Sequence, residues 1–397
     1  FLNTTAGAIT INLPAGSAGD IISMADYAAT WQTNAVTVTP NGSEKMGGLN
    51  VSANLSTEGQ SVTLVYVDST QGWINTMDST SNVRGTEFMS ATVSGVCNTL
   101  TTAPCCANVK VAKFVGPGTF CVSTTGYCAA NNLVSYMVVA GGGGGASSQG
   151  SWGAGGGGAG GYREVVSPTS PYTGSPLDGY ATPGNRITVT ATGYPITVGA
   201  GGAGAPNSCF PGQTNGAPSI FSSITSAGGG KGGCATIPQP QANGAAGGSG
   251  GGEAGGSEQT YGAGNTPPTT PSQGNPGGPG SGGGQFPSLG AGGGGGATAA
   301  GGAGSAPTAG PGGAGAGTLI NPATGQPGPG PSRYYSGGAG GNVYSGSSRG
   351  TAGIGGAGVA GSGADPARSG TANTGGGAAG PIGTGGSGIV IIRYKAQ

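Results

Sequence analysis

The chain contains no histidine, and only 6% of its 397 residues are charged. Without histidine it lacks the commonest general base and the commonest metal ligand. Ser-His-Asp and Cys-His catalytic arrangements are therefore excluded. The twelve acids are Asp20, Asp26, Glu44, Glu58, Asp68, Asp78, Glu87, Glu164, Asp178, Glu253, Glu258 and Asp365. Glycoside cleavage needs two of them held in one site, and no pair has a suggestive sequence context. Twelve basic residues balance the twelve acids, and no basic stripe marks a nucleic-acid surface. The longest apolar runs are far short of a membrane span, and no signal peptide is visible. The expectations are no catalytic residues, no cofactor, no nucleic-acid partner and no membrane insertion.

What the chain has instead is glycine. Of its 96 glycines, 83 fall in residues 141–397. Collagen has a comparable fraction but needs glycine at every third position, whereas here glycines come in runs such as 141–145, 155–158, 228–230 and 292–296. One reading is disorder, because glycine loses much backbone entropy on folding. The other is a bundle of left-handed, three-residue-per-turn strands rising about 3.1 Å per residue, the polyglycine II arrangement. There each N–H and C=O bonds to a neighbouring strand.

Several features favour order. The runs are short and broken by turn formers such as Asn265-Thr266-Pro267-Pro268 and Asn275-Pro276-Gly277. Apolar residues are placed among them, including Trp152, Tyr162, Phe221, Tyr261 and Ile354. The block has only eight Lys/Arg and five Asp/Glu, too few to keep a disordered chain soluble by charge. It also has bookends, since Val134–Ala140 leads in and Gly388–Tyr394 closes. Both are β-branched runs of strand length, with lesser runs at 186–190 and 195–199. They imply a small β base from which glycine strands emerge and to which they return.

Residues 1–140 read as all-β. Ile9–Leu13 alternates and stops at Pro14, Val36–Thr39 ends at Pro40-Asn41-Gly42, and Ser61–Asp68 is the strongest strand. Residues 20–31 could hold one helical turn. The expected organisation is a β-sandwich or barrel-like module at 1–85, a Cys-containing β module or linker at 86–140, and a glycine-rich polyglycine II domain at 141–397 closed by a C-terminal strand.

Seven cysteines lack a C-x-x-C pair, so a structural zinc site is not expected. Five fall within residues 97–128. Cys121 and Cys128 flank Gly126 and could bridge a hairpin, and Cys209 with Cys234 could staple the glycine block. Buried free thiols are the alternative. Adjacent Cys105 and Cys106 should point to opposite faces if they lie in a strand. Tyr261, Phe286, Tyr334, Tyr335 and Tyr344 are candidate receptor contacts at loop tips, or else caps on the ends of the glycine bundle.

The order Ile9–Pro14, Gly19-Asp20-Ile21, Asp26-Tyr27-Ala28, Val62–Asp68 and Gln71-Gly72-Trp73 resembles the β module of marine phage virion fibres, cyanophage fibres especially. Phe114–Phe120, Val138–Gly144, Gly160–Arg163 and Gly386–Tyr394 resemble the glycine-rich domain of phage tail fibres and adhesins. The resemblance implies an extracellular virion appendage, usually a homotrimer. It would be attached to other virion or baseplate proteins and touch a bacterial surface receptor. The alternatives are a capsid decoration or head fibre with a structural role, and a cellular surface filament or matrix protein. Phe1 begins the chain in a strand-like context, as expected if a shaft or anchor precedes it.

Overall fold

A computed structural model describes every residue except 80–87, 148–152, 206–211, 235–242, 257–259, 283–288, 344–347, 362–367 and 397. The described residues are all-β, with no α-helix and two short 3-10 turns. They form two compact units, Phe1–Gly85 and Thr86–Gln397.

The first unit is built from two three-stranded sheets. One has the order β1 (Ile9–Asn12), β3 (Val36–Thr39), β4 (Ala53–Leu55), with β1 and β3 parallel. The other has the order β2 (Ile21–Ala25), β5 (Ser61–Tyr66), β6 (Trp73–Ser79) and is antiparallel. Val62, Leu64 and Tyr66 alternate inward along β5 and join Val36, Val38, Leu55, Trp31 and Trp73 in one core. The helical turn considered for residues 20–31 does not form. Residues 21–25 pair with β5 instead, and the Asp26 carboxylate accepts bonds from the N–H groups of Ala28, Thr30, Trp31 and Gly59. Those bonds pin the chain into a loop that buries Trp31.

The second unit does not treat residues 86–140 as a separate linker. Strands β7 (Ser90–Val93), β8 (Thr99–Ala103), β9 (Cys106–Phe114), β10 (Gly118–Thr124) and β11 (Leu133–Val139) share sheets with strands from the glycine-rich part. Those later strands are β12 (Tyr162–Val165), β13 (Ile187–Thr188), β14 (Gly193–Thr197), β15 (Ser219–Phe221), β16 (Ile224–Ser226) and β20 (Ile389–Lys395). One sheet runs β16-β15-β14-β10-β7, and the other runs β12-β11-β20-β9-β8 with β13 paired to β11. A third, small sheet joins β17 (Ala316–Thr318), β19 (Arg333–Tyr335) and β18 (Gln326–Pro327).

The two bookend strands pair antiparallel, with Val139 opposite Ile389 and Ser135 opposite Arg393. Their unbroken apolar character has a physical reason, since the sheet is buried on both faces. Tyr136, Val138, Val390, Ile392 and Tyr394 face a core with Phe114, Phe120 and Phe221. Met137, Val139, Ile389 and Ile391 face a second core with Tyr162, Ile320 and Tyr335.

Beyond these sheets the glycine runs bond to one another with a period of three. Gly141 and Gly144 donate to Ala217 and Thr214, Gly142 and Gly145 to Gly386 and Gly383, and Gly143 to Gly158. Gly229 and Gly232 donate to the carbonyls of Gly141 and Gly144, Gly202 and Ala205 to Gly142 and Gly145, and Ala378 to Gly143. This one run thus has six hydrogen-bonded neighbours. The runs at 155–161 and 291–297 repeat the pattern. Gly155, Gly158 and Gly161 donate to Gly233, Gly230 and Ala227, while Ala291, Gly294 and Ala297 donate to Asn342, Ala339 and Ser336. Glycine is required by contact, because a Cβ on Gly143 or Gly294 would overlap the backbone carbonyl of Gly230 or Gly157.

Candidate functional site

The glycine runs alternate in direction. Residues 140–147 leave β11, and residues 153–161 return to β12 with Gly143 bonded to Gly158 and Ala140 to Gly161. Runs at 199–205 and 212–217 likewise leave β14 and return to β15. Ser147, Ala205 and Cys234 therefore end runs on the side away from the sheets. There Cys234 packs with Ala146 and Ala154, and its Sγ lies 3.1 Å from the Ser147 carbonyl oxygen. The connections that follow these ends, at 148–152, 206–211 and 235–242, lie outside the described residues.

The three aromatic candidates among the described residues do not form one surface. Tyr261 is 46% exposed, as a contact residue must be. Tyr334 is half-buried, its ring so close to Gly317 and Gly328 that a Cβ on either would overlap it. Tyr335 is fully buried against the bookend sheet, and its hydroxyl pairs with Thr324 at 2.8 Å. It is a core residue, not a receptor contact. Consecutive residues of a strand face opposite ways, so β19 sends one of its two tyrosines inward. Reading Arg333–Tyr335 as a strand would have revealed this, but three residues beside glycine give little periodicity. Phe286 and Tyr344 lie outside the described residues.

The disulfide expectation for Cys121 and Cys128 is corrected. Both thiols are free and exposed. Cys121 pairs across β10 with Thr92 and Gly193, and Cys128 sits beyond the strand end, before the 3-10 turn Ala129–Asn132. Asn132 holds that loop through its amide, bonding to the backbone of Gly126 and Cys128. Hairpin pairing of the two cysteines is thereby lost. Cys97, Cys105 and Cys106 are also free. Cys234 is disulfide-bonded, and Cys209 lies outside the described residues.

A polar cluster missed in the sequence sits where the sheets meet the glycine runs. Glu164 on β12 is buried and accepts bonds from the Tyr162 hydroxyl (2.9 Å), the Tyr172 hydroxyl (3.1 Å), the Thr318 hydroxyl (2.6 Å) and the Ser175 N–H (2.8 Å). Its neighbour Arg163 donates to the Asn185 side chain. Burial pushes the Glu164 carboxyl above its ordinary range, against the pull of the hydroxyl and N–H donors. The group joins β12, the 172–175 segment and β17, so it is a structural tie.

The sign of its pH dependence follows. The folded state holds the Glu164 proton more tightly than the unfolded chain, so this contribution is full below the ordinary carboxyl value of 4.5. It is lost as pH rises through the elevated folded value. Glu164→Gln keeps an acceptor for the Ser175 N–H, and the hydroxyls can rotate to accept from the new amide. The variant should lose less stability than wild type as pH is raised from acid to neutral, measured by denaturant midpoints across pH. Parallel curves for the two proteins would contradict the assignment.

The first unit has a half-open pocket of about 300 Å³. It lies between the edge strands β4 and β6, with apolar walls from Met24, Val38, Leu55, Leu64 and Trp73. Gln60 also lines it; its Nε2 donates to Asp78, while its buried Oε1 has no hydrogen-bond partner among the described residues. Among the described residues, no group of three His, Cys, Asp or Glu side chains could hold a metal ion. No helix among them is long and apolar enough to cross a membrane.

No curated protein matches the sequence. Residues 117–395 match the glycine-rich domain family. That span starts just before β10 and ends with β20, so it takes in the closing strand and the glycine runs between. It covers more than half of the chain, and the protein belongs to the glycine-rich domain family.

Proposed function

We propose that the chain is a subunit of a virion fibre, acting as an adhesin whose glycine-rich domain presents receptor-binding loops. The observation that carries this reading is the three-residue bonding period, with six neighbours around the 141–145 run. It supports treating the runs as polyglycine II strands. Runs of this kind pack through backbone contacts rather than side chains, which leaves larger side chains to the sheets and to the connections between runs. Loops held by a rigid scaffold lose little entropy on binding a cell surface. Tyr261 is an exposed aromatic of the glycine-rich part available for such contacts. The wider proposal is a non-enzymatic, extracellular homotrimer attached to other virion proteins, using neither cofactor nor nucleic acid.

Adsorption tests it. Particles carrying a chain without the second unit, residues 86–397, should fail to adsorb to host cells while assembling normally. Normal adsorption by such particles would leave a structural fibre or decoration as the reading. A solution mass equal to a single chain of 36.9 kDa would refute the trimer.

A further inference from the structure

The turn between β8 and β9 places two thiols together. Alternation along a strand would separate Cys105 from Cys106, but Pro104 and Cys105 form the hairpin turn and Ala103 pairs with Cys106. Alternation fails in a turn, so the two sulfurs meet. The Cys106 thiol donates to Cys105 Sγ at 2.8 Å.

A cation stands beside them. Arg393, on the closing strand β20, is only 3% exposed. Its Nη2 donates to Cys105 Sγ at 3.3 Å and to the Pro171 carbonyl at 3.5 Å, and its guanidinium lies 5.4 Å from the Tyr172 ring centre. No carboxylate of the described residues bonds to it. A buried guanidinium without a negative partner is costly, and Cys105 is the neighbour able to carry negative charge. The hydrogen bond from Cys106, followed by Arg393, lowers the Cys105 thiol, while Cys106 is raised by the same contact. A stabilised thiolate beside a protonated thiol, both reachable from solvent, is the arrangement of an attacking and a resolving cysteine.

We propose that Cys105 and Cys106 form a thiol–disulfide exchange site for small dialkyl disulfides, with Arg393 as its positioning residue. The Cys105 thiolate attacks one sulfur of the disulfide, forming a mixed disulfide and releasing one thiolate, which takes a proton from solvent. Cys106 then loses its proton and attacks Cys105 Sγ. The second thiol leaves with that proton, and a Cys105–Cys106 disulfide remains. Two protein thiols are oxidised and one small disulfide is reduced to two thiols.

The full chain carries its own references in Cys97, Cys121 and Cys128, all free and exposed. The experiment is incubation with oxidised glutathione, quenching at intervals, and peptide mass mapping of each cysteine. Cys105 should react about tenfold faster than Cys121 or Cys128, as expected for a thiolate held by a cation. Wild type should end with Cys105 and Cys106 joined and no adduct, whereas Cys106→Ser should stop at a glutathione adduct on Cys105. Arg393→Lys should retain most of the rate advantage and Arg393→Gln should lose it, with Cys121 reactivity in each variant reporting that the fold is intact. Equal rates at Cys105 and Cys121 in wild type would overturn the proposal. So would a stable glutathione adduct on wild-type Cys105 that never resolves.

Discussion

Gly294→Val should destabilise the second unit by about 3 kcal/mol or more, the upper end expected when a packed interior is overfilled. Gly294 donates to the Ala339 carbonyl and accepts from Gly313, and a Cβ there would overlap the Gly157 carbonyl. The obstacle is the Gly157–Gly158 backbone, so no side chain can swing away to make room. Relief requires moving a whole run, and each moved run breaks bonds to its own neighbours. The effect should therefore spread to runs that never touch residue 294. Gly184→Ala is the control, because a Cβ there meets no atom within 4 Å. Denaturant unfolding of both variants checks the expectation. A Gly294→Val midpoint close to that of Gly184→Ala would show that the runs are not packed as described.

Phe221→Ala should cost about 3–5 kcal/mol, the range for truncating a buried aromatic ring. Phe221 is fully buried and meets three rings edge-on: Phe120 at 6.4 Å, Tyr136 at 5.9 Å and Tyr194 at 6.1 Å between centres. Those rings come from β10, β11 and β14, so one side chain on a three-residue strand ties both large sheets together. Removing it leaves a cavity bounded by rigid rings and strands, which collapse poorly around a void. Thermal unfolding should show one transition shifted down for the second unit. An unchanged transition would mean that the core is organised elsewhere.

The two positions differ in how far the sequence reveals them. Gly294 sits in an obvious run, and the scarcity of charge already argued for internal bonding there. Phe221 is a single aromatic among serines and glycines, and nothing local marks it as the meeting point of two sheets. The same division holds for the candidate site residues. Tyr335 reads like Tyr334 in sequence, yet one is core and the other half-buried, because strand alternation decides it. Glu164 carries no local sign of its role until Tyr162, Tyr172 and Ser175 from nearby and Thr318 from 154 residues away converge on it. Cys121 and Cys128 look like a hairpin pair, but register places Thr92 and Gly193 beside Cys121.

By itself the sequence determined composition-level facts. These are an all-β chain, a glycine-rich block whose runs have no side chains to pack, and apolar bookend strands, each a consequence of local residue chemistry. Only the tertiary structure decided which runs are neighbours, which bookend face each side chain covers, and where Cys105 meets Cys106 and Arg393. The reason is that glycine has no side chain with which to specify a partner. Neighbour choice among glycine runs therefore depends on the strands, turns and connections that bound each run, and that information is spread over the whole second unit.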